Sequence, residues 1–218
     1  MFVAYGVCFL KIHGLVDQYV PRRSALSETV TFTLDGNEIS AQPGQTIWDV
    51  TKGQGFIIPH LCHRDEPGYR SDGNCRACMV EVEGERTLVA SCIRPVLNGM
   101  VVHTRSDRAT QARKMVMEML VADQPEMEVA HDKSSHLWEM AEGQGVLESR
   151  FPKLEDGRIP LLDDSHVAMS VSLDACIQCG LCVRACREVQ VNDVIGMSGR
   201  GHDSYPTFDM SDPMGDSS

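Results

Sequence analysis

Eight of the nine cysteines fall into two groups of four, and their spacing is where chemistry is most expected. Cys62, Cys75, Cys78 and Cys92 follow the pattern C-x12-C-x2-C-x13-C. Cys176, Cys179, Cys182 and Cys186 follow C-x2-C-x2-C-x3-C. Cys8 stands alone. An odd total leaves a thiol over in any purely disulfide scheme, and C-x2-C pairs without an export signal point to metal or redox chemistry in a reducing, cytoplasmic compartment.

The first group is asymmetric: one C-x2-C pair is joined by two isolated cysteines. A zinc ribbon brings two such pairs to one tetrahedral ion. One pair with two outlying thiols suits a loop wrapped around a 2Fe-2S cluster, where soft anionic sulfur holds ferric and ferrous iron alike. Such a loop needs small residues so that backbone N–H groups can approach sulfur and stabilise the reduced charge, and Gly68, Ser71, Gly73, Asn74 and Ala77 supply them. His60 and His63 flank Cys62 and read as solvent-satisfied loop histidines. The second group is the pattern of a 4Fe-4S ferredoxin. In two-cluster ferredoxins the first three cysteines hold one cubane and the fourth reaches the other cluster. By that rule Cys176, Cys179 and Cys182 need a fourth ligand. The readings are a truncated frame, a ligand from another polypeptide, or closure of the site by Cys186.

Elements must hold these loops in place. In Glu28–Leu34, Val30, Phe32 and Leu34 alternate with threonines, the period of a half-buried strand. Asp35-Gly36 makes a tight turn into a returning strand at 37–41. Thr46-Ile-Trp-Asp49 has the form of a capping box and starts a short helix carrying Ile47 and Val50. Further strands are expected at 79–82, 87–91 and 100–104. From Ser106 the period lengthens: Ala109, Ala112, Val116, Met119 and Leu120 predict the inner face of a helix over 107–122. A second helix is expected over 134–142, with Leu137 and Met140 inward.

The fold class is therefore α+β: a β-grasp 2Fe-2S ferredoxin domain, a small helical segment and an incomplete 4Fe-4S ferredoxin domain. The divisions are a non-core extension at 1–27, the 2Fe-2S domain at 28–105, the helical segment at 106–145, a linker at 146–170 and the 4Fe-4S motif at 171–218. The apolar run Phe2–Leu10 has neither a positive leader nor a cleavage site and is too short to span a membrane.

With 20 basic against 31 acidic residues the chain carries a net charge of -11. That balance argues against binding nucleic acid or an anionic membrane and favours a basic partner. Nothing in the sequence pairs a nucleophile with a base or cradles a phosphate, so no catalytic residue is assigned.

A ferredoxin domain, then a helix ending in Leu-Val-Ala-Asp123, then Cys176-Ile-Gln-Cys-Gly-Leu-Cys-Val-Arg-Ala-Cys-Arg-Glu-Val-Gln190 resembles the N-terminal part of the large iron-sulfur subunit of complex I and of NAD-reducing hydrogenases. Val191-Asn-Asp-Val-Ile-Gly-Met197, Arg200-Gly-His202 and Asp212-Pro-Met-Gly215 make it more similar to the alpha subunit of NAD-dependent, molybdenum-containing formate dehydrogenase. The resemblance covers about residues 28–216. It implies electron relay between a molybdopterin site oxidising formate and a flavin- and NAD-binding iron-sulfur subunit. Many members resembling this chain hold a further cluster on one histidine and three cysteines. The matching positions here are Gln124, Glu128, His131 and Leu137, which implies that this cluster is absent, while Glu128, His131 and nearby His136 read as a polar loop. The alternatives to relay are a zinc-stabilised interaction module or a cluster-poor remnant of a longer gene.

Overall fold

The structure, a computed structural model, describes residues 29–153 and 162–217. The expected N-terminal extension with Cys8, and residues 154–161 of the expected linker, lie outside the described residues.

Alternation places Phe32 and Leu34 of β1 (Val30–Leu34) in the core, and β2 (Asn37–Ala41) returns beside it through Asp35 and Gly36, both at positive φ. Strands β3 (Met79–Val82), β4 (Val89–Ala90) and β5 (Val101–His103) complete a sheet ordered β2-β1-β5-β3-β4. The central pair β1–β5 is parallel and its neighbours are antiparallel. Strands β4 and β5 are shorter than the expected 87–91 and 100–104.

Helix α1 (Ile47–Gly53) starts at the expected capping box: Thr46 Oγ1 accepts from the Asp49 amide at 3.2 Å, and Asp49 Oδ2 from the Thr46 amide at 2.8 Å. Ile47, Trp48 and Val50 pack with Phe32, Val80 and Val102 in one core. The buried Trp48 indole donates to the Ile58 carbonyl at 3.1 Å, which ties the chain leading to Cys62 back onto the helix.

Helix α2 (Asp107–Ala122) begins at Ser106, whose hydroxyl accepts from the Ala109 amide at 3.2 Å. Its buried stripe is Ala109, Arg113, Met117 and Val121, which corrects the expected inner face: Met119 is exposed, and Ala112 and Val116 are only half-buried. The reason is Arg113. Its guanidinium donates to the carbonyls of Met79 and Thr104, both at 2.8 Å, at the ends of β3 and β5. A buried charge that satisfies two strand-end carbonyls outweighs one more methionine in the core, and hydrophobic periodicity cannot anticipate it. Thr104 is held from its other side by Asp35, which accepts from its amide at 2.7 Å and its hydroxyl at 2.5 Å.

Helix α3 (His136–Gly143) packs Leu137, Trp138 and Ala141 against Met117 and Val121 of α2. The same apolar cluster takes in Leu61 and Ala77 of the first cysteine loop and the half-buried Ile177 of the second.

The rest is less of a linker than the sequence suggests. Strand β6 (Leu162–Asp163) pairs antiparallel with β7 (Val171–Ser172), and the Asp163 carboxylate accepts from the Met214 amide at 2.8 Å, 51 residues on. A short helix α4 (Leu181–Arg184) widens into a π-helical turn at Ala185–Val189, and a hairpin of β8 (Ile195–Ser198) and β9 (Tyr205–Phe208) follows. No helix among the described residues is long and apolar enough to cross a membrane.

Truncating Arg113 should orphan two buried carbonyls. Arg113→Ala is expected to cost about 3 kcal/mol of unfolding free energy in a denaturant titration, against less than about 0.5 for exposed Lys114→Ala.

Candidate metal centres

The first centre assembles thiols from three segments. Cys62 follows Ile58 and Leu61, both buried and fixed through α1 and the second core. Cys78 immediately precedes β3 and Cys92 follows β4. The pairing of Met79 with Ala90, continued by a Ser91 amide to Cys78 carbonyl bond of 3.1 Å, brings the two thiols face to face. Their sulfurs are 3.4 Å apart. Cys75 lies against Cys62, whose sulfur accepts from the Cys75 amide at 3.4 Å and also touches Cys92. The loop between them turns where the sequence allows it. Gly73 has φ +66, and a Cβ there would meet Ile93 Cδ1 at 2.9 Å, so only glycine fits without moving the residue next to Cys92.

All four thiols are free, and Cys62, Cys78 and Cys92 are at most 1% exposed. Crowding makes their protons unequal. Contact with Cys75 and Cys92 pulls the Cys62 thiol far below its ordinary range, and contact with Cys92 brings Cys78 to about 7. Cys75 is pushed up, chiefly by its contact with Cys62, and Cys92 by its contacts with Cys62 and Cys78. Thiols crowded this closely compete for protons, and a cation that takes their place relieves the competition.

The donor set fits a 2Fe-2S cluster. Two sulfurs about 2.3 Å from a shared tetrahedral ion lie about 3.8 Å apart, near the 3.4 Å of Cys78 and Cys92. Cys62 lies against Cys75, and Cys78 against Cys92, with Cys62 also reaching Cys92, so the four thiols are close enough to give two irons two thiolates each. No three or more His, Cys, Asp or Glu side chains among the described residues are grouped around a single-ion site.

The histidines beside Cys62 are not solvent-satisfied as expected. His63 is buried, with Nδ1 2.5 Å from the Ser71 hydroxyl and its ring edge-on to Trp48 at 4.2 Å. His60 is half-buried against Trp48, and its carbonyl pairs with His136 Nε2 at 2.7 Å. Burial lowers both imidazoles, favouring the neutral form. His136 is thereby drawn towards His60, while Glu128 and His131 are exposed on the turn before α3.

The second centre is a turn held open by positive-φ residues. Gln178 (φ +54) and Gly180 (φ +72) fold the backbone around Cys176, Cys179 and Cys182, and the Gln178 amide donates to the Cys176 sulfur at 3.4 Å. Burial raises the Cys179 thiol, with repulsion from Cys176 and Cys62 adding to it. Cys186 is set apart. Its buried sulfur accepts from the Val194 amide at 3.3 Å, and it lines an apolar cavity of about 520 Å³ with Val171, Ile195 and Phe208. Cys182, the exposed member, borders that cavity as well. Three thiols thus share one turn and the fourth sits on the wide π-turn behind it.

The residue that sequence reasoning passed over is Arg184. Its side chain is 5% exposed and lies between the two centres. Nη2 donates to the Cys62 carbonyl at 2.7 Å and reaches the Cys179 carbonyl at 3.5 Å, and Nη1 donates to the Arg70 carbonyl. Nε lies 3.1 Å from the Asp72 carboxylate, an ion pair off hydrogen-bond alignment. Asn74 Nδ2 donates to the same Cys179 carbonyl at 3.4 Å, and Arg70 pairs with Glu188 at 2.9 Å. A charged residue amid Leu-Cys-Val-Arg-Ala-Cys was the available signal.

Residues 27–107 match the family model of a 2Fe-2S iron-sulfur cluster binding domain. Among curated proteins, the chain is 34% identical over 188 residues to the mitochondrial NADH-ubiquinone oxidoreductase 78 kDa subunit of Candida albicans, covering 85% of this chain and 26% of that protein. It is 34% identical over 195 residues to the NADP-reducing hydrogenase subunit HndD of Solidesulfovibrio fructosivorans, covering 84% and 32%. The chain thus spans between about a quarter and a third of the length of these relatives. Among solved structures, a chain of an NAD+-reducing [NiFe]-hydrogenase in the H2-reduced state superposes with a TM-score of 0.76 at 33% identity, over 86% of this chain and 79% of that one. With the thiol geometry of the 62–92 centre, these likenesses show that the chain belongs to the family of iron-sulfur oxidoreductase subunits that includes those of NADH-quinone oxidoreductase and NAD-reducing hydrogenase.

Proposed function

We propose that this chain is the electron-relay segment of an NAD-dependent, molybdenum-containing formate dehydrogenase, carrying electrons between a molybdopterin formate-oxidising portion and a flavin- and NAD-binding subunit. The observation that supports relay above all is the 3.4 Å approach of the buried Cys78 and Cys92 sulfurs, with Cys62 and Cys75 beside them, inside a 2Fe-2S-type domain. The preference for formate rests on the resemblance of 191–197, 200–202 and 212–215 to that enzyme's alpha subunit.

In this reading Cys62, Cys75, Cys78 and Cys92 hold a 2Fe-2S cluster, and Cys176, Cys179, Cys182 and Cys186 serve a 4Fe-4S site. Such groups supply one-electron chemistry, at about -400 mV for plant-type 2Fe-2S centres. The chain's own residues do the rest. Burial of three thiols at no more than 1% exposure excludes water from the first centre. The Cys75 amide, aimed at the Cys62 sulfur, stabilises negative charge there, and the neutral His63 and Trp48 wall off one side.

The likeness to the hydrogenase chain favours a second reading, relay within an NAD-linked hydrogenase. The two part on the electron donor. In the complex isolated with this chain, formate should reduce the clusters and develop the electron paramagnetic resonance signal of a reduced 2Fe-2S centre. Reduction by H2 but not by formate would exchange the first reading for the second.

Two measurements on the purified full chain test the ligand sets. Anaerobically loaded chain should hold about six irons, and about two would leave the 176–186 site without a cluster. Cys75→Ser should abolish the 2Fe-2S signal, since loop folding and cluster assembly are coupled. A signal that persists unaltered would overturn the assignment of Cys75.

A further inference from the structure

We propose that Arg184 is the positioning residue that couples the two cluster loops: by bonding the carbonyls of Cys62 and Cys179 with one guanidinium, it fixes the gap that an electron crosses between the 62–92 and 176–186 centres. This rests on the reading of both loops as cluster sites.

Three features single out this residue. The Nη2 atom engages one cysteine from each centre, at 2.7 and 3.5 Å, so relative movement of the two loops must break a charge-assisted bond. The side chain is 5% exposed, whereas its neighbour across the same seam, Arg70, is 68% exposed where it pairs with Glu188. Solvent screens the Arg70 pair and leaves the Arg184 bonds nearly unscreened. The fork is also fixed from behind by the Arg70 carbonyl and Asp72, so the guanidinium has anchors besides the two cysteine carbonyls. Lysine could offer charge but not this planar fork.

Two further bonds cross the same seam: Asn74 Nδ2 donates to the Cys179 carbonyl at 3.4 Å, and Arg70 pairs with Glu188 at 2.9 Å. With clusters held by both loops, the fork would keep constant the gap across which a single electron passes from the reduced to the oxidised group, one iron of the donor going from ferrous to ferric and one of the acceptor from ferric to ferrous, with no bond or proton exchanged. The positive charge beside both ligand loops also favours the reduced, more negative form of each.

The test uses the full chain loaded anaerobically and reduced with dithionite. With both centres paramagnetic, the parent should show magnetic splitting between them. Arg184→Lys should keep about six irons and lose the splitting. Its amides across 179–184 should exchange about tenfold faster, the factor for one lost charge-assisted hydrogen bond. Arg184→Gln, which removes the charge as well, should also shift the 2Fe-2S midpoint to a more negative potential, a change that loss of mere scaffolding would not produce. Unchanged splitting in fully loaded Arg184→Lys overturns the inference alone. An iron content of about two in the parent overturns the two-cluster reading, and the inference with it. Should Arg184→Lys not load both centres, Asp72→Asn, which removes the carboxylate 3.1 Å behind the guanidinium and leaves every cysteine in place, decides: weaker splitting upholds the inference and unchanged splitting overturns it.

Discussion

Four buried or half-buried thiols side by side, two of their sulfurs 3.4 Å apart, are a costly arrangement. Protonated, they are buried donors with poor acceptors, and deprotonated, they repel at short range in a medium that screens them little. Most of the fold around residues 28–105 can be understood as what holds such a set together. The β3–β4 register brings Cys78 to Cys92, and the indole bond of Trp48 holds the chain that carries Cys62. Gly73 allows the intervening loop to close against Ile93. A cation at the centre removes the repulsion that this scaffold otherwise has to resist, so cluster and domain stabilise each other.

A second constraint of the same kind joins the two halves. Among the described residues, buried arginines appear twice, and both times they satisfy backbone carbonyls from distant parts of the chain. Arg113 binds the ends of β3 and β5 from helix α2, and Arg184 binds the Cys62 and Cys179 carbonyls from the start of the π-turn. In a chain with a modest core, charge buried on hydrogen bonds takes over joints that apolar contact would otherwise hold. The acidic excess remains mostly outside.

The sequence made some of this legible because it was local. The capping box at Thr46, the Asp35-Gly36 turn and the period-two strand at Val30–Leu34 each depend on a few neighbouring residues, and each stands where expected. The inner face of α2 was misread because periodicity counts Arg113 as polar and places it outward, while tertiary carbonyls draw it in. His63 was misread for a similar reason: Trp48, Ser71 and His63 are distant in the chain and meet only in the fold. The pairing of β6 with β7 and the reach of Asp163 to Met214 carry no local signature at all.

The unequal exposure of the two thiol sets bears on how the protein ages. Cys62, Cys78 and Cys92 are sealed from solvent, while Cys182 is open to it. Peroxide and oxygen reach exposed thiolates first. Handled in air, the chain should therefore be oxidised at Cys182 while the 62–92 thiols are still intact, so that the history of a sample is written in which of its two cysteine groups has changed.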